Sequence, residues 1–166
     1  MEIISDIDVQ GALRNAVEKV RINLPVYKGR CQNHSSVDGI YPVCENDQWT
    51  CGFWPGEIWL SYEFTGDEEF RDAALELVKS FDYRIRNRID TDHHDMGFLY
   101  SPSCVAAYKL TGSEMARDAA LLAAEQLIER FQPVGNFIQA WGTMNSPDNY
   151  RYIIDCLLNL PLLYWA

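Results

Sequence analysis

The chain has 166 residues, of which 48% are apolar and 13% aromatic, enough for one domain with a proper core and too apolar for a disordered segment. A formal charge of -10 argues against nucleic acid or an anionic membrane as a partner, because sequence-independent binding to either needs clustered Lys and Arg. The start, MEIISDIDVQGALRNAVEKV, is acidic and lacks the basic and apolar blocks of a secretory leader. No stretch approaches the ~18 uninterrupted apolar residues of a membrane span, so a soluble, cytoplasmic chain is expected.

Strand signals are nearly absent, and helical periodicity recurs from one end to the other. The first helix is predicted from about Ser5 to Ile22, with Leu13, Val17 and Val20 on one face. A loop rich in Pro, Gly and Ser follows, from Pro25 to Asp47. The cysteines, Cys31, Cys44, Cys51, Cys104 and Cys156, form neither an even set nor a CxxC pair. Cys104 and Cys156 lie in apolar helical patterns, where cysteine behaves as a small hydrophobe, and no structural disulfide is expected.

A pattern then occurs twice, as GFWPGEIWLSYEFTGDEEFRDAALELV and GFLYSPSCVAAYKLTGSEMARDAALLAA. Thr65-Gly66 matches Thr111-Gly112 and Arg71-Asp72-Ala73 matches Arg117-Asp118-Ala119, an offset of 111 − 65 = 46. Each unit reads as a helix opened by Pro, closed by a left-handed Gly, and followed by a second helix capped by Asp67 or Ser113. The first helix of each pair is apolar nearly all round and the second has one polar face, the signature of inner and outer layers. Hairpins are therefore expected at about 52–89 and 98–131, within one all-α domain of stacked hairpins. A third unit begins within 147–166 at IIDCLLNLPLLYWA, where Pro161 takes the place of Pro55 and Pro102, but its outer helix is missing. The chain accordingly reads as the front part of a longer one, or as a homo-oligomer joined through this unfinished third hairpin.

Counting back from the three prolines gives Trp49 (55 − 49 = 6), Asp95 (102 − 95 = 7) and Asp155 (161 − 155 = 6), potent residues at matching positions. If the hairpins ring an axis, all three converge on one cavity. Asp95 also suits a plain helix cap. Asp155 is harder to assign that way, since an aspartate in so apolar a run needs a partner to ionise. No metal is expected at His93, His94 and Asp95, because adjacent residues diverge and the HExxH spacing is absent. His94 fits better as a donor to a hydroxylated or anionic ligand. Trp49, Trp54 and Trp141 suit a core, yet FIQAWG sets Gln139 beside Trp141, an amide and a flat apolar face that suit a sugar ring.

The segments WTCGFWPGEIWLSYEFTGDEEFRDAA, DHHDMGFLYSPSCVAAYKLTG, FIQAWG and IIDCLLNLPLLYWA closely resemble the unsaturated glucuronyl hydrolases, glycoside hydrolase family 88, over about Asp47 to Ala166. The resemblance implies an α/α barrel of six helical hairpins, of which this chain is the N-terminal half. It implies hydration of the C4=C5 double bond of a 4,5-unsaturated uronic acid at the non-reducing end of lyase-generated oligosaccharides, with no cofactor. By motif, Asp155 becomes the general acid and base, Asp95 the assisting carboxylate, Trp49 a stacking platform and His94 a sugar contact, beside Gln139 and Trp141 as further substrate contacts. Cys51 departs from the Asp expected between Thr50 and Gly52. Two other readings compete: an unsaturated rhamnogalacturonyl hydrolase with the same barrel, and a non-catalytic, self-associating helical scaffold. Half a ring leaves a sugar open on one side, so little activity is expected of these 166 residues alone.

Overall fold

A carboxylate begins the first helix: Asp8 accepts the Gly11 amide at 2.7 Å and so satisfies one of the free N–H groups at the start of α1 (Val9–Asn23). The computed structural model describes residues 8–166, so the predicted start of this helix at Ser5 to Ile7 lies outside the described residues. Of the expected apolar stripe only Val20 is buried, because α1 meets the rest of the fold mainly at its C-terminal end. There the Arg21 guanidinium lies over the Phe70 ring and reaches Asp67 and Glu69, at 2.9 and 2.8 Å. The following loop holds a two-stranded antiparallel ribbon, β1 (Cys31–Gln32) and β2 (Val43–Cys44), with Cys31 opposite Cys44.

Two helical hairpins and one lone helix complete the chain. The first hairpin is α2 (Phe53–Thr65) and α3 (Glu68–Arg86). In the second, α4 (Met96–Tyr100) runs through a π turn at Ser101–Val105 into α5 (Ala106–Thr111), and α6 (Glu114–Glu129) returns. A second ribbon, β3 (Phe131–Gln132) and β4 (Phe137–Ile138), leads to α7 (Cys156–Trp165). Both hairpins turn in the same way: Gly66 and Gly112 take φ of 72° and 73°, a left-handed conformation that costs a glycine little. Asp67 and Ser113 then cap the outer helices.

The prolines differ from the sequence reading. Pro102 does not open its helix but sits inside the π turn, and Pro161 lies within α7. A proline lacks the N–H that an α-helix interior uses. At Pro102 the chain widens locally, with the Ala106 N–H reaching back to the Ser101 carbonyl.

The inner layer is α2, the α4–α5 rod and α7; the outer layer is α3 and α6, packed side by side. Between them lie Ile58, Trp59, Phe70, Leu77, Phe81, Leu99 and Leu127, together with the small faces of Ala116, Ala119, Ala120 and Ala123. Successive inner helices approach through glycine. A Cβ on Gly52 would stand 2.1 Å from the Phe98 carbonyl oxygen, and one on Gly97 would stand 2.3 Å from the Asn159 Cα. The same contact therefore joins the first inner helix to the second and the second to the third. No described helix is long and apolar enough to cross a membrane.

Candidate active site

Close packing at Gly97 brings the starts of α4 and α7 together, and each start carries an aspartate: Asp95 precedes Met96 and Asp155 precedes Cys156. Neither side chain caps its own helix, so the plain capping reading of Asp95 does not hold. Both carboxylates turn to one imidazole instead. His94 Nε2 lies 3.3 Å from Asp95 Oδ1 and 3.7 Å from Asp155 Oδ1. The ring is buried, and that burial lowers its pKa despite the opposing pull of Asp95 and Asp155, so the neutral, Nε2-protonated form suits the geometry. Asp155 Oδ1 is shielded from solvent and has no hydrogen-bond partner. An acceptor in that state is free to engage a ligand.

His93 braces the site from behind: its Nδ1 lies 3.1 Å from the Asp95 amide nitrogen and 3.1 Å from Asp95 Oδ2, and its Nε2 lies 2.9 Å from the Asp90 carbonyl. Among the described residues, His94, Asp95 and Asp155 are the group whose ligand atoms lie close enough for one cation, all within 4.8 Å. That set differs from His93, His94 and Asp95, the trio that sequence adjacency raises. It places one residue from just before the third inner helix beside two from just before the second.

Two half-exposed tryptophans pack against residues beside these carboxylates. Trp49 is 44% exposed and stands edge-on to Phe98 of α4 and Phe53 of α2, with centroids at 5.9 and 6.4 Å. Phe98 is three residues beyond Asp95, so Trp49 lies at the same end of the inner layer as the carboxylates. Trp141, equally exposed, packs edge-on to the His94 ring at 6.4 Å, and the Ala140 carbonyl accepts the His94 amide at 2.8 Å. Trp54 is a core residue.

Gln139 requires a correction. It is fully buried; its amide nitrogen donates to the carbonyls of Trp141, Gly142 and Thr143, and its oxygen accepts from Gln132. With every polar atom engaged by protein, it shapes the turn that holds Trp141 and has nothing left for a sugar.

Two further residues escaped the sequence reading. Arg84, at the end of α3, is 1% exposed and donates to Asn46 and the Gln48 carbonyl on one side, and to the carbonyls of Ile89 and Asp90 on the other. It ties the segment before Trp49 to the segment before His93. Arg130, just after α6, is equally buried; it donates to Asp92 and to the carbonyls of Gln139 and Gly142, tying the Trp141 turn to the segment before His94. The signal was present: 130 − 84 = 46, the offset of the repeat itself.

No protein-family model matches the chain. It is 45% identical over 159 residues to the unsaturated chondroitin disaccharide hydrolase of Streptococcus pneumoniae, a match covering 96% of this chain and 40% of that one. The crystal structure of unsaturated glucuronyl hydrolase from Streptococcus agalactiae superposes with a TM-score of 0.95 at 43% identity, over 100% of this chain and 42% of that one. A mutant of the Streptococcus agalactiae hydrolase complexed with dGlcA-GalNAc6S gives a TM-score of 0.82 at 36% identity, over 100% and 39%. The chain thus spans about two-fifths of the length of the relatives it matches.

Proposed function

The chain belongs to the unsaturated glucuronyl hydrolases, and from that membership we propose that its carboxylate pair serves the hydration of a 4,5-unsaturated uronic acid at the non-reducing end of an oligosaccharide. The observation that carries this reading is the convergence of Asp95 and Asp155, from different helices, on the buried His94, with Asp155 Oδ1 uncommitted. The complex of a relative with dGlcA-GalNAc6S supports an unsaturated, glycosaminoglycan-derived disaccharide as the substrate class.

In this reading Asp155 delivers a proton to C4 and receives one from the water that adds at C5. The hydrate is a hemiketal at C5; it opens to the ketone, and the exposed hemiacetal at C1 releases the neighbouring sugar. The anomeric carbon is not attacked, so the rule that links carboxylate separation to stereochemical outcome has no bearing. Asp95 stands beside Asp155 as the assisting carboxylate, and neutral His94 has one N–H, on Nε2, to offer either to Asp95 or, with substrate bound, to a ring hydroxyl or carboxylate. Trp49, against Phe98, and Trp141, against His94, supply flat apolar faces for the sugar. Slow turnover is proposed for these 166 residues alone, which span about two-fifths of the length of the relatives they match.

The test uses a protein extended to the length of the relatives and an unsaturated chondroitin disaccharide, whose conjugated ultraviolet absorbance disappears on hydration. Asp155→Asn is expected to slow that loss by roughly 10^2 to 10^4-fold, the usual contribution of a positioned proton donor. Wild-type turnover in that variant would remove the mechanism.

A further inference from the structure

Trp141 has a charged neighbour: the Arg151 guanidinium lies over its ring, with Cζ 5.6 Å from the centroid. Backbone bonds fix that placement. The His94 amide donates to the Ala140 carbonyl at 2.8 Å and the Ala140 amide to the Arg151 carbonyl at 2.9 Å, so the segments that carry His94, Trp141 and Arg151 are joined in series. Gly142 makes room for the side chain. It takes φ of 84°, and a Cβ there would meet the Asn149 side chain at 2.8 Å and Arg151 Nη1 at 3.0 Å. Into that space Arg151 Nη1 donates to Asn149 Oδ1 at 2.6 Å.

Arg151 also stands apart from the other arginines in what it pairs with. The chain has ten, all among the described residues; nine form ion pairs with carboxylates, and Arg151 does not. Arg84 and Arg130, which brace the site, are buried and spend their donors on protein acceptors. Arg151 is exposed and permanently charged, and among the described residues its side chain has Asn149 as its one hydrogen-bond acceptor. The donors that Asn149 does not take are free for a ligand beside an indole that is itself 44% exposed.

We propose that Arg151 binds an oxyanion of the sugar substrate, a carboxylate or a sulfate ester, and so makes the site selective for acidic oligosaccharides; the inference rests on the sugar site assigned to Trp141 above. The need is electrostatic. The chain has a formal charge of -10 and its site carries Asp95 and Asp155, so an anionic sugar is repelled unless a cation faces it. A guanidinium presents a planar fork of donors that matches two oxygens of a carboxylate or sulfate. Stacking on Trp141 and the bond to Asn149 hold that fork in place before the sugar arrives, which lowers the cost of ordering it on binding. Arg151 thus acts on affinity and selectivity, and proton transfer stays with the carboxylates.

The experiment uses the protein extended to the length of the relatives and two substrates, an unsaturated chondroitin disaccharide without sulfate and a sulfated form of it. Arg151→Gln is expected to raise KM roughly 5- to 10-fold while kcat stays within about twofold, and Arg151→Lys recovers part of the loss. An equal rise with both substrates names the carboxylate; a rise confined to the sulfated one names the sulfate. Added sodium chloride raises the KM of the parent protein more steeply than that of Arg151→Gln, a difference that a merely loosened Trp141 turn would not produce. An unchanged KM with both substrates, or equal salt responses in parent and variant, would overturn the proposal. Calorimetry separates this from the hydration mechanism. That mechanism falls if Asp155→Asn keeps turnover, whereas the role of Arg151 falls if Asp155→Asn binds the disaccharides no more tightly than the double variant Asp155→Asn, Arg151→Gln.

Discussion

His94 carries one backbone bond to Ala140, two carboxylate neighbours and an Nδ1 that is buried without a partner. Its pKa is lowered from 6.5 by burial first, and the charges of His93 and Arg130 push the same way, while Asp95 and Asp155 pull it up. The unfolded chain therefore takes up a proton at a higher pH than the folded one does. The stability that neutral His94 contributes is complete above 6.5 and is lost as pH falls through the folded value. Urea midpoints should drop between about pH 7 and 5, and His94→Gln should flatten that drop. An equally steep drop in His94→Gln would assign it to another group.

Each loop of the site hangs on the end of an outer helix. Arg84 and Arg130 occur at the same repeat position, and each bridges two loop segments from a buried guanidinium. Lysine has a single point charge and cannot span four acceptors in a plane. Arg84→Lys is expected to destabilise the fold by roughly 2–4 kcal/mol, since carbonyls of Gln48, Ile89 and Asp90 lose their donors in a dry environment. Thermal denaturation with Arg84→Lys beside Arg71→Lys, a surface control, measures it. A melting temperature equal to that of the control would leave Arg84 without this role. At the inner layer, Gly97→Ala should cost ~1–3 kcal/mol through overpacking against Asn159, and it should separate Asp95 from Asp155 by forcing α4 away from α7. A crystal structure of that variant with an unchanged contact between His94 and both carboxylates would contradict this.

The hairpins form an arc of an α/α barrel, and α7 is the last inner helix among the described residues. Ile154, Leu157, Leu158 and Tyr164 are each more than half exposed there. Contiguous apolar surface of this kind is uncommon on a monomer, and we propose that a second copy covers it in solution. Sedimentation should show self-association that rises with concentration and weakens in Leu158→Glu. A monomer that persists at high concentration would refute the pairing.

Much of this architecture was legible in the chain because it is written in local chemistry. The offset of 46 between Thr65-Gly66 and Thr111-Gly112 marks two left-handed helix ends, and Asp67 and Ser113 follow as caps because a short polar side chain satisfies a bare N–H within its own turn. The prolines misled for the same local reason: Pro102 favours a helix start, and only the surrounding packing keeps the rod running through it as a π turn. Asp95 and Asp155 could be selected by their spacing, but which groups they meet was decided by tertiary structure. Gly97 lets the two helix starts close on His94, a contact across 61 residues, 155 − 94, that no local pattern encodes. Gln139 shows the other side of that limit. Its amide suits a sugar as a residue type, yet burial and the turn at Trp141, Gly142 and Thr143 occupy every polar atom it has. The sequence determined which residues start and stop each helix, because those choices depend on neighbours along the chain. The fold alone decided which polar groups stay free, because that depends on what lies across from them.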